Sequence, residues 1–396
     1  MLRMRRQNAL PASGKIPVRR IAYRAAIVAF TAATLPLAIP SPGNTPPPPP
    51  TQQQSAAPSS SSAESELRLG ISLTQQGRFS DAIPHFLNAR GRVTDEYAAN
   101  FNLALCYIAT KKFADAIAIL TPMRPQNATA AVNNLLAQAY VGLGDYSRAS
   151  ESFQQAVEKT PSDEKLYLFI ADACLDRGAY DFGLQVLNAG LSHLPHSARM
   201  HYERGIFFSF ENDPDAAVAD FDLARKSDPQ SDIAYMAAGQ KELLEGHVPE
   251  AVGVTREGIK KGHSNYILLT IFADAVLRSG AQVGTPDFSE AESALKQSIT
   301  EKPSYADSHA FLGELYLSAG QIEDAINELE TARKLGPESA PVYSHLAMAY
   351  RRKGDAPAAE TMLAKLAALN QQESARYKTD GSANRAGYIS SARLPH

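Results

Sequence analysis

Between residues 63 and 373, apolar and polar positions recur around a tight turn. The turn is centred on Gly77, Gly144, Gly178, Gly246, Gly280, Gly320 and Gly354, with Lys111 and Asn212 filling the two gaps in the series. Successive turns lie 34, 33, 34, 34, 34, 34, 40 and 34 residues apart. That interval accommodates one helix, a turn and a second helix, so the pattern predicts nine helix–turn–helix units in an all-α solenoid. The single long step places an insertion between Gly280 and Phe288; Gly284, Thr285 and Pro286 suit a loop that bulges from the turn without breaking the stack.

The apolar positions keep a fixed register to the turn. Seven residues before it stands a small residue: Gly70, Ala104, Ala137, Ala171, Gly205, Gly239, Ala273, Gly313 or Ala347. Four before it most units carry a large one, such as Leu73, Tyr107, Tyr140, Phe208, Tyr316 or Tyr350. After the turn come an alanine five residues on (Ala82, Ala116, Ala149, Ala217) and a large side chain four further (Phe86, Leu120, Phe153, Phe221). Prolines 161, 195, 229, 303 and 337 close five units. Small residues let two helix axes approach, and the large residue fills the space beside the contact.

These motifs resemble the tetratricopeptide repeat family. Leu103-Ala104 with Tyr107, Leu136-Ala137 with Tyr140, Leu312-Gly313 with Tyr316 and Leu346-Ala347 with Tyr350 match its first-helix pattern. Ala149, Phe153 and Pro161, and Ala217, Phe221 and Pro229, match its second. The chain departs from the family in having no tryptophan: Tyr167, His201, Tyr235, His309 and Tyr343 stand where an aromatic opens the first helix. Repeat six departs further, with Glu242 and Thr255 at core-like places.

Charge divides the chain into regions. Residues 1–24 carry seven basic residues and no acid, and residues 374–396 carry four basic residues and one acid, which leaves 28 basic against 41 acidic residues between them. An acidic array is a poor partner for a phosphate backbone, so nucleic acid is not expected. An apolar run from Ala25 to Ile39 follows the basic start, and a linker rich in Pro, Ser and Gln occupies residues 41–62. Basic, then apolar, then polar is the order of an export signal or an N-terminal membrane anchor over residues 1–40. An exported chain is therefore expected, periplasmic or otherwise extracytoplasmic, with inner-membrane anchoring through residues 25–39 as the alternative. The tail from 374 lacks a helical apolar period and is expected to be disordered.

Candidate chemistry is sparse. The sequence contains no phosphate loop, zinc-ligand spacing or nucleophile elbow, so neither a cofactor, a metal nor catalysis is expected. Cys106 and Cys174, two repeats apart, read as small buried hydrophobes. His193, His196 and His201 cross an inter-repeat junction and read as loop residues. Asp213 reads as an N-cap with Pro214 at the first helical position, and Asn212 as the left-handed turn residue.

The resemblance implies that first helices line an inner groove that binds a peptide or helix of a protein partner. By register that groove receives Leu67 and Ile71, then Phe101, Leu105 and Ile108, then the polar Asn134 and Gln138, then Lys165, Asp172 and Asp176. Tyr202, Ile206 and Phe210 follow at four-residue spacing, with Met236, Gln240 and Leu243 on the next first helix and charged residues beyond. The expected hot spot is the apolar stripe of Tyr202, Ile206, Phe210, Met236 and Leu243. Leu67, Ile71 and Leu135 occupy places where some family members carry a clamp for a terminal carboxylate, so that mode is not expected.

Overall fold

The computed structural model describes residues 59–127, 129–337 and 339–387; the expected export segment and most of the linker lie outside them. All regular structure among the described residues is helical. The helices pair as α1 (Ser59–Gln75) with α2 (Phe79–Ala89), α3 (Glu96–Ala109) with α4 (Phe113–Asn127), α5 (Ala130–Leu143) with α6 (Tyr146–Lys159), and α7 (Glu164–Arg177) with α8 (Tyr180–His193). Next come α9 (Ala198–Phe210) with α10 (Pro214–Ser227), then α11 (Asp232–Glu245) and α12 (Val248–Lys260). The series closes with α13 (Tyr266–Arg278) and α14 (Pro286–Glu301), α15 (Ala306–Ser318) and α16 (Ile322–Leu335), and α17 (Ala340–Lys353) and α18 (Ala356–Gly387). The chain divides into an N-terminal unit ending at Ala238 and a C-terminal unit beginning at Gly239.

All nine turn residues adopt the left-handed conformation, with φ of 60° at Lys111, 59° at Asn212 and 73–88° at the glycines. The residue after each turn donates its N–H to the carbonyl five positions back in the helix it leaves, as from Asp145 to Tyr140 at 2.9 Å and from Ala179 to Cys174 at 2.8 Å. This arrangement satisfies carbonyls that the helix end leaves open. Acidic or hydroxyl caps start many of the helices that follow: Asp145 accepts from the Arg148 amide at 3.1 Å and Asp213 from the Ala216 amide at 3.1 Å.

The expected small-to-large contacts are present. A Cβ built on Gly70 would sit 2.8 Å from the Phe86 ring, one on Gly205 2.7 Å from Phe221, and one on Gly313 2.6 Å from Leu329. In repeat six, Thr255 occupies the large-residue place and is fully buried, with its methyl 2.5 Å from a Cβ built on Gly239. Its hydroxyl donates back to the Ala251 carbonyl at 2.6 Å, so the polar atom is satisfied within its own helix.

Successive repeats are joined by a recurring polar bond. Tyr167 donates its hydroxyl to the Pro161 carbonyl at 2.7 Å, and Tyr343 to the Pro337 carbonyl at 2.9 Å. His201 and His309 reach the Pro195 and Pro303 carbonyls with Nε2, both at 3.0 Å. In the histidine repeats, Nδ1 meets a carboxylate on the second helix, Asp220 at 3.0 Å and Glu328 at 2.7 Å. The aromatic at the start of the first helix thus ties down the loop that precedes it. At this place in repeat three stands Asn133, buried, with no partner for either side-chain atom.

The long step is absorbed between α13 and α14, where Gly284 takes a φ of 84° and Thr285 caps α14, accepting from the Phe288 amide at 3.3 Å. Helix α14 packs on both α13 and α15, so the stack continues across it. The final helix departs from expectation at its end. It does not give way to an irregular tail at residue 374 but runs to Gly387, and residues 371–380, which carry it past that point, contain no proline or glycine and several good helix formers.

Candidate functional site

In the N-terminal unit the first helices stand side by side: α1 against α3, α3 against α5, α5 against α7 and α7 against α9. Their outward positions form the candidate face, and spacing between neighbours decides how much of each side chain is open. Among these pairs the contact between α5 and α7 is the most extensive. There Asn134 is buried and donates its amide to the Leu166 carbonyl on α7 at 2.9 Å, while Gln138 donates to the Asn134 oxygen. The pair expected to read a ligand instead joins one repeat to the next.

The expected hot spot is closed as well. Tyr202, Ile206 and Met236 are buried, and so is Leu243. The Tyr202 ring lies 5.8 Å from that of Phe221, which places it in the core between α9 and α10. Phe210 is half-buried but stacks on Tyr180 at 5.1 Å, with an interplanar angle of 8°. Met236 belongs to the N-terminal unit with these residues and Leu243 to the C-terminal unit. The stripe expected to be open is therefore packing surface: residues at this spacing face neighbouring helices as readily as a groove. Leu67 is also buried.

What stays open is on α3. Phe101, Leu105 and Ile108 are half-buried, and Phe101 stacks on Tyr97 of the same helix at 5.7 Å. Ile71 on α1 and Leu168 on α7 are also half-buried. The outward face of α7 and α9 adds charge. Burial pushes the Asp172 carboxyl well above the usual carboxylate range, the charges of Glu203 and Asp176 push it further, and Arg199 opposes them. Arg199 itself pairs with Glu203 at 2.6 Å. The face thus reads apolar on α3 and acidic from α7 to α9.

In the C-terminal unit the corresponding charges are paired internally. Asp274 is fully buried and holds Arg278 at 2.9 Å, Arg352 donates to the Leu317 carbonyl at 2.7 Å, and Glu314 lies 3.7 Å from His345.

The histidines flagged at the repeat junction do not converge: His201 bonds Asp220 and the Pro195 carbonyl, whereas His193 stacks on Tyr167 at 6.5 Å. Both cysteines are buried free thiols. Cys106 is pushed up to about 11 by burial despite a 3.3 Å contact with the Thr74 hydroxyl, and Cys174 is raised further by the same cause, so neither is a ready nucleophile. Among the described residues the one histidine–acid group with metal-ligand geometry is Glu242, Glu245 and His247, whose ligand atoms all lie within 4.8 Å of one another. In the sequence Glu242 stands out as a charge at a core-like place, and the Glu-x-x-Glu-Gly-His spacing across the turn is the signal that links it to Glu245 and His247.

Two family models described as tetratricopeptide repeat match the chain, one at residues 73–139, 286–339 and 319–379 and the other at 134–198, together more than half its length. No curated protein matches the chain. Among solved structures it is similar to the APC/C hetero-tetramer Cut9-Hcn1, at 18% identity and a TM-score of 0.47, over 78% of this chain and 64% of that one. The match therefore spans just under two thirds of that structure. It is also similar to a tetratricopeptide repeat protein from Parabacteroides merdae (17% identity, TM-score 0.43, 73% of this chain and 99% of that one) and to yeast Tom70 (15%, 0.38, 83% and 97%).

Proposed function

Because the chain belongs to the tetratricopeptide repeat family, a fold of protein-interaction scaffolds, we propose that it is a non-catalytic scaffold that captures a peptide or helix of a partner on the first-helix face of its N-terminal unit. The observation that carries this reading is the half-exposed row of Phe101, Leu105 and Ile108 on α3, flanked by Ile71 and Leu168 on neighbouring first helices. Residues at this spacing form one stripe along a helix and suit an apolar partner face. The mechanism is surface complementarity without a reaction. Site-directed crosslinking tests it: a photoreactive residue at Leu105 should trap the partner, and the same residue at Leu223, exposed on α10, should not. Trapping from Leu223 alone would move the site to the second-helix surface.

The order of residues 1–62, basic, apolar, then proline-rich, supports export with the linker holding the array away from a membrane. A second reading, a membrane-tethered component of an envelope assembly, follows if residues 25–39 are retained. Among the described residues no helix is long and apolar enough to cross a membrane, and residues 25–39 lie outside them. Mass spectrometry of the mature N-terminus separates the two: a start beyond residue 39 removes the tether, and an intact leader supports it.

A further inference from the structure

We propose that the turn of repeat six is a binding site for a zinc-like divalent transition-metal ion, with Glu242, Glu245 and His247 as its ligands. The backbone builds the site. Gly246 takes a left-handed φ of 81°, and the N–H of His247 returns to the Glu242 carbonyl at 2.8 Å. This cap folds the residue after the turn back over the one four positions before it. Such a cap usually closes with an apolar contact between those two places. The other repeats hold Leu73, Tyr107, Tyr140, Cys174, Phe208, Val276, Tyr316 and Tyr350 at the helix position. Repeat six alone has a glutamate there, and it alone has a histidine after the turn. Only in repeat six do a carboxylate and an imidazole therefore meet across the cap, and Glu245 supplies a second carboxylate one helical turn on.

The distances fit a metal of zinc's size. Nδ1 of His247 lies 3.1 Å from Oε2 of Glu242 and 3.6 Å from Oε2 of Glu245. Ligands bonded at about 2.1 Å in a tetrahedron stand about 3.4 Å apart, between those two values. One imidazole with two carboxylates is a borderline donor set that suits zinc and its neighbours better than magnesium, which prefers oxygen alone. The negative end of α11 adds a favourable field for a cation. His247 and Glu245 are exposed and Glu242 half-buried, so an ion can enter from solvent and complete its coordination with water.

The test is calorimetric titration of the untagged full-length chain with zinc chloride at neutral pH, with magnesium chloride as comparator, on the parent, His247→Ala and Glu242→Leu. Leucine restores the apolar residue that repeat one carries at that place, so this variant is expected to fold. A single zinc ion per chain should bind the parent, and both variants should bind it about tenfold or more weakly with unchanged helical circular dichroism. Zinc uptake equal in the parent and in folded His247→Ala would place the ion elsewhere and overturn the proposal. Absence of uptake, or equal uptake of magnesium, would show that the three side chains form an ion pair only.

Discussion

The small-residue contacts make a sharp prediction when two mid-helix glycines are compared. Gly183 on α8 and Gly253 on α12 both lie inside helices, so alanine at either removes the same excess freedom of the unfolded chain, about 0.5–1 kcal/mol. Their surroundings differ. A Cβ on Gly183 would sit 2.0, 2.6 and 2.9 Å from three atoms of the Phe207 ring, whereas one on Gly253 meets nothing within 4 Å. Phe207 is itself buried, 1% exposed, and its ring is in edge contact with Tyr180 at 6.2 Å, so it cannot swing away without disturbing a second aromatic. Overpacking of this kind costs about 1–3 kcal/mol, more than the entropy gain at its upper end. Gly183→Ala should therefore destabilise by roughly 1–2 kcal/mol net, and Gly253→Ala should stabilise by about 0.5–1 kcal/mol. Urea midpoints under identical conditions report the two signs, and amide exchange in α8 and α9 reports whether the loss is local. Because a repeat array need not unfold in one step, the ranking of midpoints is the primary readout. A Gly183→Ala midpoint at or above that of Gly253→Ala would refute the close approach of α8 and α9.

Three further outcomes follow from the same geometry. Lys111 is exposed and held at a φ of 60°, so Lys111→Gly should raise stability by about 0.5–1 kcal/mol in a thermal melt, and a loss would mean that its side chain contributes something the turn does not show. Asn133→Leu should gain about 1 kcal/mol, because it removes a buried amide that has no partner; a lower urea midpoint would show that the amide is satisfied in solution. At His309 burial lowers the pKa, but the bonds to Glu328 and the Pro303 carbonyl outweigh it and hold the value above 6.5. Its stabilisation is thus complete below the unfolded value near 6.5 and is lost as pH rises through the higher folded value. The melting temperature should fall as pH rises from about 6 to 8, and His309→Tyr, which places there the residue that bonds the equivalent proline carbonyls from α7 and α17, should flatten that fall.

The sequence by itself determined the repeat. Turns recur because a left-handed residue must end each first helix. The positions of Gly144, Gly178 and even Lys111 and Asn212 announced those turns, because each constraint acts within one helix and the residues just after it. The contacts of Gly70 with Phe86 and Gly205 with Phe221 were legible for a related reason: two helices joined by a tight turn have a nearly fixed packing register. Exposure on the first-helix face was not legible. Whether Asn134 reads a ligand or bonds the Leu166 carbonyl depends on how closely α5 approaches α7, a distance between helices in different repeats that the 34-residue period leaves free. Tyr202 and Phe101 share the same register position, yet Tyr202 is buried against Phe221 of α10, whereas Phe101 stays half-open, stacked on Tyr97 of its own helix. Local backbone constraints are written in the few residues that bear them, whereas the surface left for a partner is the remainder after every helix has packed, and only the tertiary structure decides that remainder.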